Sequence, residues 1–232
     1  MRMTWSCWIP FPGWDGAPIA KSVALEIWHE SVNFTPIPMQ IDSEGHWSQE
    51  LNLDTGRYHY CFLINNCFRV NDPETFPSYL SSNGRLMSSL VVEDTDVYKL
   101  TSDSSFIDVG HIEMYPGDTQ NLKPERQFSN VGGEIGVTVI FNKVKGAHLV
   151  TFLWVNPNLE IAYSSECTVW DDPQCQEEFI QAAGWIKAEP ENPLMPGKWH
   201  ALVLLNGGEI CCMPFHIRGL IYQLQQGKLV LK

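Results

Sequence analysis

Residues 56–73 of this 232-residue chain read Gly-Arg-Tyr-His-Tyr-Cys-Phe-Leu-Ile-Asn-Asn-Cys-Phe-Arg-Val-Asn-Asp-Pro. Tyr58, Tyr60, Phe62 and Ile64 alternate with Arg57, His59 and Cys61. A period of two with aromatic and β-branched side chains on one face predicts a half-buried strand. Asn tolerates positive φ, so Asn65-Asn66 closes a tight hairpin. Cys67, Phe68, Arg69 and Val70 then return as a second strand, which Asp72-Pro73 ends. Such a hairpin is the centre of an antiparallel sheet.

Outward from the hairpin, Val23, Leu25 and Ile27 alternate with Ala24, Glu26 and Trp28 and predict an earlier strand. Residues 37–41 give another, kept near an edge by Pro38. Asp42-Ser43-Glu44-Gly45 turns into Trp47, Gln49, Leu51 and Leu53, and Gly84 precedes a last strand over 88–92. Short strands with turn chemistry between them are what a sandwich requires, and no helical period competes. Trp5, Trp8 and Trp14 sit among prolines and glycines, and they read as a segment covering the sheet rather than as a sugar-stacking face. Past Val92 the chain turns polar, so residues 95–105 are expected to link a domain of residues 1–94 to one of residues 106–232. Asp94-Thr95-Asp96 matches the Asp-x-Asp metal motif of glycosyltransferases, but no nucleotide-binding βαβ unit precedes it.

Residues 137–141, 149–155, 159–163, 199–205 and 210–217 read as strands of the second half. One helix is expected between them. Asp172 can cap it, Pro173 suits its first position, residues 174–183 continue it, and Gly184 stops it. The expected fold class is all-β: two immunoglobulin-like β-sandwiches in tandem, with one short helix in the second.

Gly-x-Tyr-x-Tyr-x-Phe, an Asn turn, an aromatic residue and Asp-Pro, with Gly84 before the last strand, resemble the glycogen-binding module of the AMP-activated kinase β subunit and of starch-branching enzymes. The resemblance spans about residues 20–94. It implies an early-set sandwich whose relatives often bind α-glucans. It places one sugar-platform aromatic at Phe68. The other falls near Val32 or Asn33, where only Trp28 or Phe34 is at hand to substitute, and the family's central lysine falls at Cys61. The remaining sugar contacts fall at Asn83, Arg85 and Ser88.

Phe-Leu-Trp-Val-Asn-Pro-Asn-Leu-Glu-Ile-Ala (residues 152–162) and Pro-Leu-Met-Pro-Gly-Lys-Trp-His-Ala-Leu-Val-Leu-Leu (residues 193–205) resemble the C-terminal domain of peptide O-xylosyltransferases. Asp108-Val109-Gly110, residues 123–133 and residues 215–222 extend the likeness. In those enzymes the domain accompanies a separate catalytic domain that uses UDP-xylose, which is missing here. The resemblance implies association with a glycosyltransferase partner chain.

Composition narrows the classes. The net charge of −12 is spread over both halves, and no basic stripe exists to neutralise phosphates. Nucleic acid and anionic membrane surfaces are disfavoured as partners, while neutral sugars remain compatible. No apolar run reaches 18 residues, so no transmembrane segment is expected, and the first residues lack the apolar core of a signal peptide. The chain as written reads as cytoplasmic, or as secretory if it is a fragment of a xylosyltransferase. The sequon Asn33-Phe34-Thr35, if used, also means the secretory route. Seven cysteines form no CxxC pair. Cys61 with Cys67, and Cys167 with Cys175, fit bridges in an oxidising compartment; all seven fit reduced thiols equally well.

The seven histidines are scattered, none at helical metal spacing, and no nucleophile elbow or phosphate-binding glycine loop is present. No catalytic set, metal site or cofactor is called for. The leading expectation is a non-catalytic, glycan-associated protein that takes an α-glucan or another glycan. The alternatives are an accessory or truncated xylosyltransferase chain and a structural protein-interaction module.

Overall fold

The computed structural model describes residues 2–6, 20–29, 32–33, 35–44, 46–82, 84–94, 96–101, 105–117, 126–130, 132–171, 179–219, 222–225 and 228–231. The first half contains β1 (Arg2–Ser6), β2 (Val23–His29), β3 (Val32–Asn33), β4 (Ile37–Pro38), β5 (Gln40–Ile41), β6 (His46–Glu50), β7 (Gly56–Ile64), β8 (Phe68–Val70), β9 (Tyr79–Leu80), β10 (Leu86–Glu93) and β11 (Asp96–Lys99). The second contains β12 (Phe106–Pro116), β13 (Gln127–Ser129), β14 (Gly133–Lys145), β15 (Ala147–Val155), β16 (Ile161–Trp170), β17 (Ile180–Ala188), β18 (Gly197–Leu205), β19 (Gly208–Arg218), β20 (Tyr222–Gln225) and β21 (Lys228–Leu231). The fold is all-β, as expected, with its sheets packed as two β-sandwiches.

The hairpin at the centre forms as its residues require. Asn65 and Asn66 both hold positive φ, 51° and 56°, so the turn follows the twist of its strands, and Cys67 adds a third residue to the connection. Cys67 N–H closes it onto the Ile64 carbonyl at 3.0 Å. Asn65 Oδ1 also accepts the backbone N–H groups of Lys21 and Ser22, which pins the start of β2 beside it. In the first sheet, β11-β10-β7-β2-β3 follow one another, with β4 on β2, β8 on β7 and β9 on β10. Against it lies β1-β6-β5. The residues 37–41 expected as one strand divide at Met39 between the two sheets. Met39 itself is buried and donates to the Val23 carbonyl. Asp96–Lys99, within the polar stretch read as a linker, pairs with β10 as an edge strand.

The second sandwich packs β12-β14-β17 on β13-β19-β18-β15-β16. The sequence of β15 is apolar at nearly every position, and so is the later part of β18. Such strands are buried on both faces. Val150, Phe152, Trp154, Trp199, Ala201 and Val203 form one core with Val137, Val139, Phe141 and Ile186. Leu153, Val155, Leu202 and Leu204 belong instead to the cluster of Leu25, Tyr60, Phe62 and Ile64 from the first sandwich. One sheet thus serves two cores.

Among the described residues no helix is present. The helix expected over residues 174–183 is corrected in its second part, where Ile180–Ala188 is strand β17, paired with β14 from Gly133 to Phe141. Residues 172–178 lie outside the described residues. The alternation was masked by two alanines and a glycine. Ala182, Gly184, Ile186 and Ala188 face the core while Gln181, Trp185 and Lys187 face out. Gly184 is required because the Phe152 ring fills the space of a Cβ.

His200, on β18, is 8% exposed, and burial, helped by the charge of Lys198, lowers its pKa to about 4. The unfolded imidazole takes a proton near pH 6.5. The unfolded state therefore protonates first, so this contribution to stability is complete above pH 6.5 and is lost as pH falls toward 4. Urea unfolding at pH 7 and pH 4.5 should differ by about 2–3 kcal/mol more in the parent than in His200→Gln. Equal pH dependence in the two proteins would refute the assignment.

Candidate functional site

The structure places the six sugar-contact candidates in three different settings. The three-residue connection Asn65-Asn66-Cys67 sets Phe68 opposite Ile64, so Phe68 lies on the core face and packs against the first cluster. Trp28 is half-buried opposite His59, on the other face of the same sheet. These two aromatics do not form one platform. Ser88 is fully buried, and its hydroxyl accepts the Asp72 N–H at 2.9 Å. Phe34 and Asn83 lie outside the described residues. Arg85 alone reaches a cavity.

That cavity is a cleft of about 490 Å³ between the hairpin of the first sandwich and the edge strand β16 of the second. Gly84, at φ +81°, turns the chain into β10 and sets Arg85 at the cleft wall. The guanidinium donates to Asn71 Oδ1 at 2.8 Å and to the Leu86 carbonyl at 3.2 Å. Its remaining edge makes a bidentate pair with Glu166 across the junction, at 2.9 and 3.0 Å. Glu166 also accepts the Thr151 hydroxyl at 3.3 Å. Planar guanidinium and carboxylate groups held by two bonds are fixed in orientation as well as in distance.

A second pair stands beside the first. Arg69 makes a bidentate pair with the buried Glu26 at 2.6 and 3.0 Å, which raises the Arg69 pKa further. The pairing register sets Glu26 opposite Cys61, whose thiol donates to it at 3.5 Å. Burial pushes the Cys61 pKa up, so it is a protonated thiol. Burial likewise raises that of Cys167, while Cys67, at the hairpin turn, is exposed. Cys61, Cys67 and Cys167 are all free thiols. Cys175 lies outside the described residues.

The rest of the wall is Leu149 with Thr151, Ser164, Ser165 and Thr168, of which Ser164 and Thr168 are the more open while Thr151 is buried. The buried Ser165 hydroxyl has no hydrogen-bond partner among the described residues. Two arginines facing two glutamates leave the site near neutrality, while the hydroxyls both donate and accept. Among the described residues no group of three or more His, Cys, Asp or Glu side chains is placed to hold a metal ion. Glu166, Thr151 and Arg69 were missed by sequence reasoning, and Arg85 is 81 residues from the carboxylate that fixes it.

No family model matches this sequence, and no curated protein matches it. Among solved structures, the chain is similar to an immunoglobulin-like protein from Pseudomonas aeruginosa, at 14% identity over 50% of this chain and all of that one, with a TM-score of 0.38. It is similar to a glycosyl hydrolase family 2 member from Bacteroides cellulosilyticus at 11% identity, with a TM-score of 0.28. There the alignment covers 99% of this chain but 30% of the hydrolase. A DUF3823 family protein from Parabacteroides merdae aligns at 11% identity over 88% of this chain and 94% of that one, with a TM-score of 0.26.

Proposed function

We propose that this chain is a non-catalytic, glycan-associated protein whose two sandwiches hold a neutral sugar in the cleft between them. The hydroxyl-lined wall carries the reading. A sugar presents hydroxyls that donate and accept around an uncharged ring, and Ser164 and Thr168 answer both needs beside ion pairs that are already neutralised. A cleft of about 490 Å³ is also within the usual size of small-ligand sites, which favour junctions between domains. The resemblance of residues 20–94 to glycogen-binding modules favours an α-glucan. The resemblance of residues 106–222 to a xylosyltransferase domain favours a glycosyltransferase partner chain as the setting.

The double variant Ser164→Ala/Thr168→Val removes hydroxyls from the cleft at nearly constant volume. At about 0.5–1.5 kcal/mol for each hydrogen bond, it should weaken glycan binding roughly 10- to 100-fold while the melting temperature stays near that of the parent. Affinity electrophoresis in glycogen and starch gels, with a glycan array beside it, reads the result. A parent that runs unretarded and is silent on the array, or a double variant that binds as well as the parent, overturns the proposal.

A further inference from the structure

The outer face of β12-β14-β17 carries an arrangement that the cleft does not use. Trp185 is opposite Gly136 in the β14–β17 ladder, and Tyr115 is opposite the same Gly136 in the β12–β14 ladder. Ile135 and Val137 point into the core, so Gly136 presents its Cα outward. The six-membered ring of Trp185 occupies the space that a Cβ on Gly136 would need. The indole therefore lies flat on the sheet, with one face on the glycine and the other open, and the residue is 44% exposed. Tyr115, half-buried, lies two strand spacings away on the same face, about 10 Å across the sheet.

From this geometry we infer that the face is a second carbohydrate-binding surface, which takes a neutral pyranose polysaccharide by stacking a ring on Trp185. A flat indole offers its π face to the C–H side of a pyranose, whereas an edge-on indole does not. The next row of the sheet supplies polar partners, Glu113 opposite Thr138, with Gln181 exposed farther along β17. His111 is paired with Glu113, and Lys187 with Glu189 at 3.0 Å, so the basic groups here are already matched. With a net charge of −12 on the chain, an uncharged polymer suits this face better than an anionic one. The open apolar groups are scattered rather than one patch: Trp185 and the edge of Tyr115 in one row, half-buried Ile140 two rows on beside Gln181, and Phe179 just before β17. A stable protein interface needs about 1,000 Å².

The test uses the full chain in pull-downs on insoluble cellulose, chitin and starch, followed by tryptophan fluorescence on soluble oligosaccharides of whichever polymer retains it. The parent should be retained, and Trp185→Ala should bind roughly tenfold or more weakly. Trp185→Tyr, which keeps a ring over Gly136, should recover most of the binding and controls for any loss of folding. Ser164→Ala/Thr168→Val should leave this retention unchanged, which separates this face from the cleft. A parent retained on none of the polymers overturns the inference, as does Trp185→Ala bound like the parent. Loss in the cleft variant with Trp185→Ala unaffected assigns the binding to the cleft instead.

Discussion

Leu202→Ala is expected to weaken both sandwiches in a single step. Leu202 is fully buried on β18 but faces the first half, in one cluster with Leu25, Tyr60, Phe62 and Ile64. Truncating a buried leucine removes its transfer energy and leaves a cavity, at a cost of about 2–5 kcal/mol. In a chain of this size that lowers the melting temperature by roughly 5–15 °C. Calorimetry of parent and variant should show one transition in each, displaced as a unit. Two transitions, with only the second half shifted, would show that the shared cluster does not couple the sandwiches.

Gly207→Val should cost at least as much, by a different route. Gly207 sits in the turn between β18 and β19 with φ +92°, after Asn206 at φ 52°. A Cβ there would strike the carbonyl oxygen of Asn71, a backbone atom of the other sandwich that cannot swing aside. The left-handed backbone alone costs a valine about 1–3 kcal/mol. The collision adds to that and pushes on Asn71, whose side chain donates to the Leu86 carbonyl and accepts from Arg85. The expected result is a loss of about 3 kcal/mol or more, together with loss of cleft binding. Gly208→Ala is the control. Its Cβ would meet the Leu205 carbonyl oxygen and Pro73 Cβ at 3.5 Å, ordinary contact distances, so its cost should stay within about 1 kcal/mol. Similar losses in the two variants would remove the junction from the explanation.

The hairpin was legible because the alternation of Tyr58, Tyr60, Phe62 and Ile64 and the Asn65-Asn66 turn are local signals that agree. Counted from the sequence, a two-residue turn would set Cys67 opposite Ile64 and put Phe68 on the same face as Trp28. The third residue of the connection, Cys67, shifts the register by one and turns Phe68 onto the aromatic core face, so the separation from Trp28 was not legible in the sequence. Strand β17 was hidden because Ala182, Ala183 and Gly184 carry little hydrophobic contrast. Its alternation becomes visible only when Phe152 is seen above Gly184 and Trp185 above Gly136. The cleft was not legible at all. Arg85 and Glu166 belong to different sandwiches, and no pattern along a strand encodes a pair that only tertiary packing brings together.

The sheet that serves two cores also sets an order of events during synthesis. The first sandwich ends its strands by Lys99, yet part of the surface that covers Leu25, Phe62 and Ile64 comes from Leu153, Val155, Leu202 and Leu204. Roughly a hundred further residues must be translated before the last of these exists, a delay of about 5–20 s at ordinary elongation rates. Through that interval the nascent first half carries an uncovered apolar face, the kind of surface that promotes aggregation until β15 and β18 arrive to cover it.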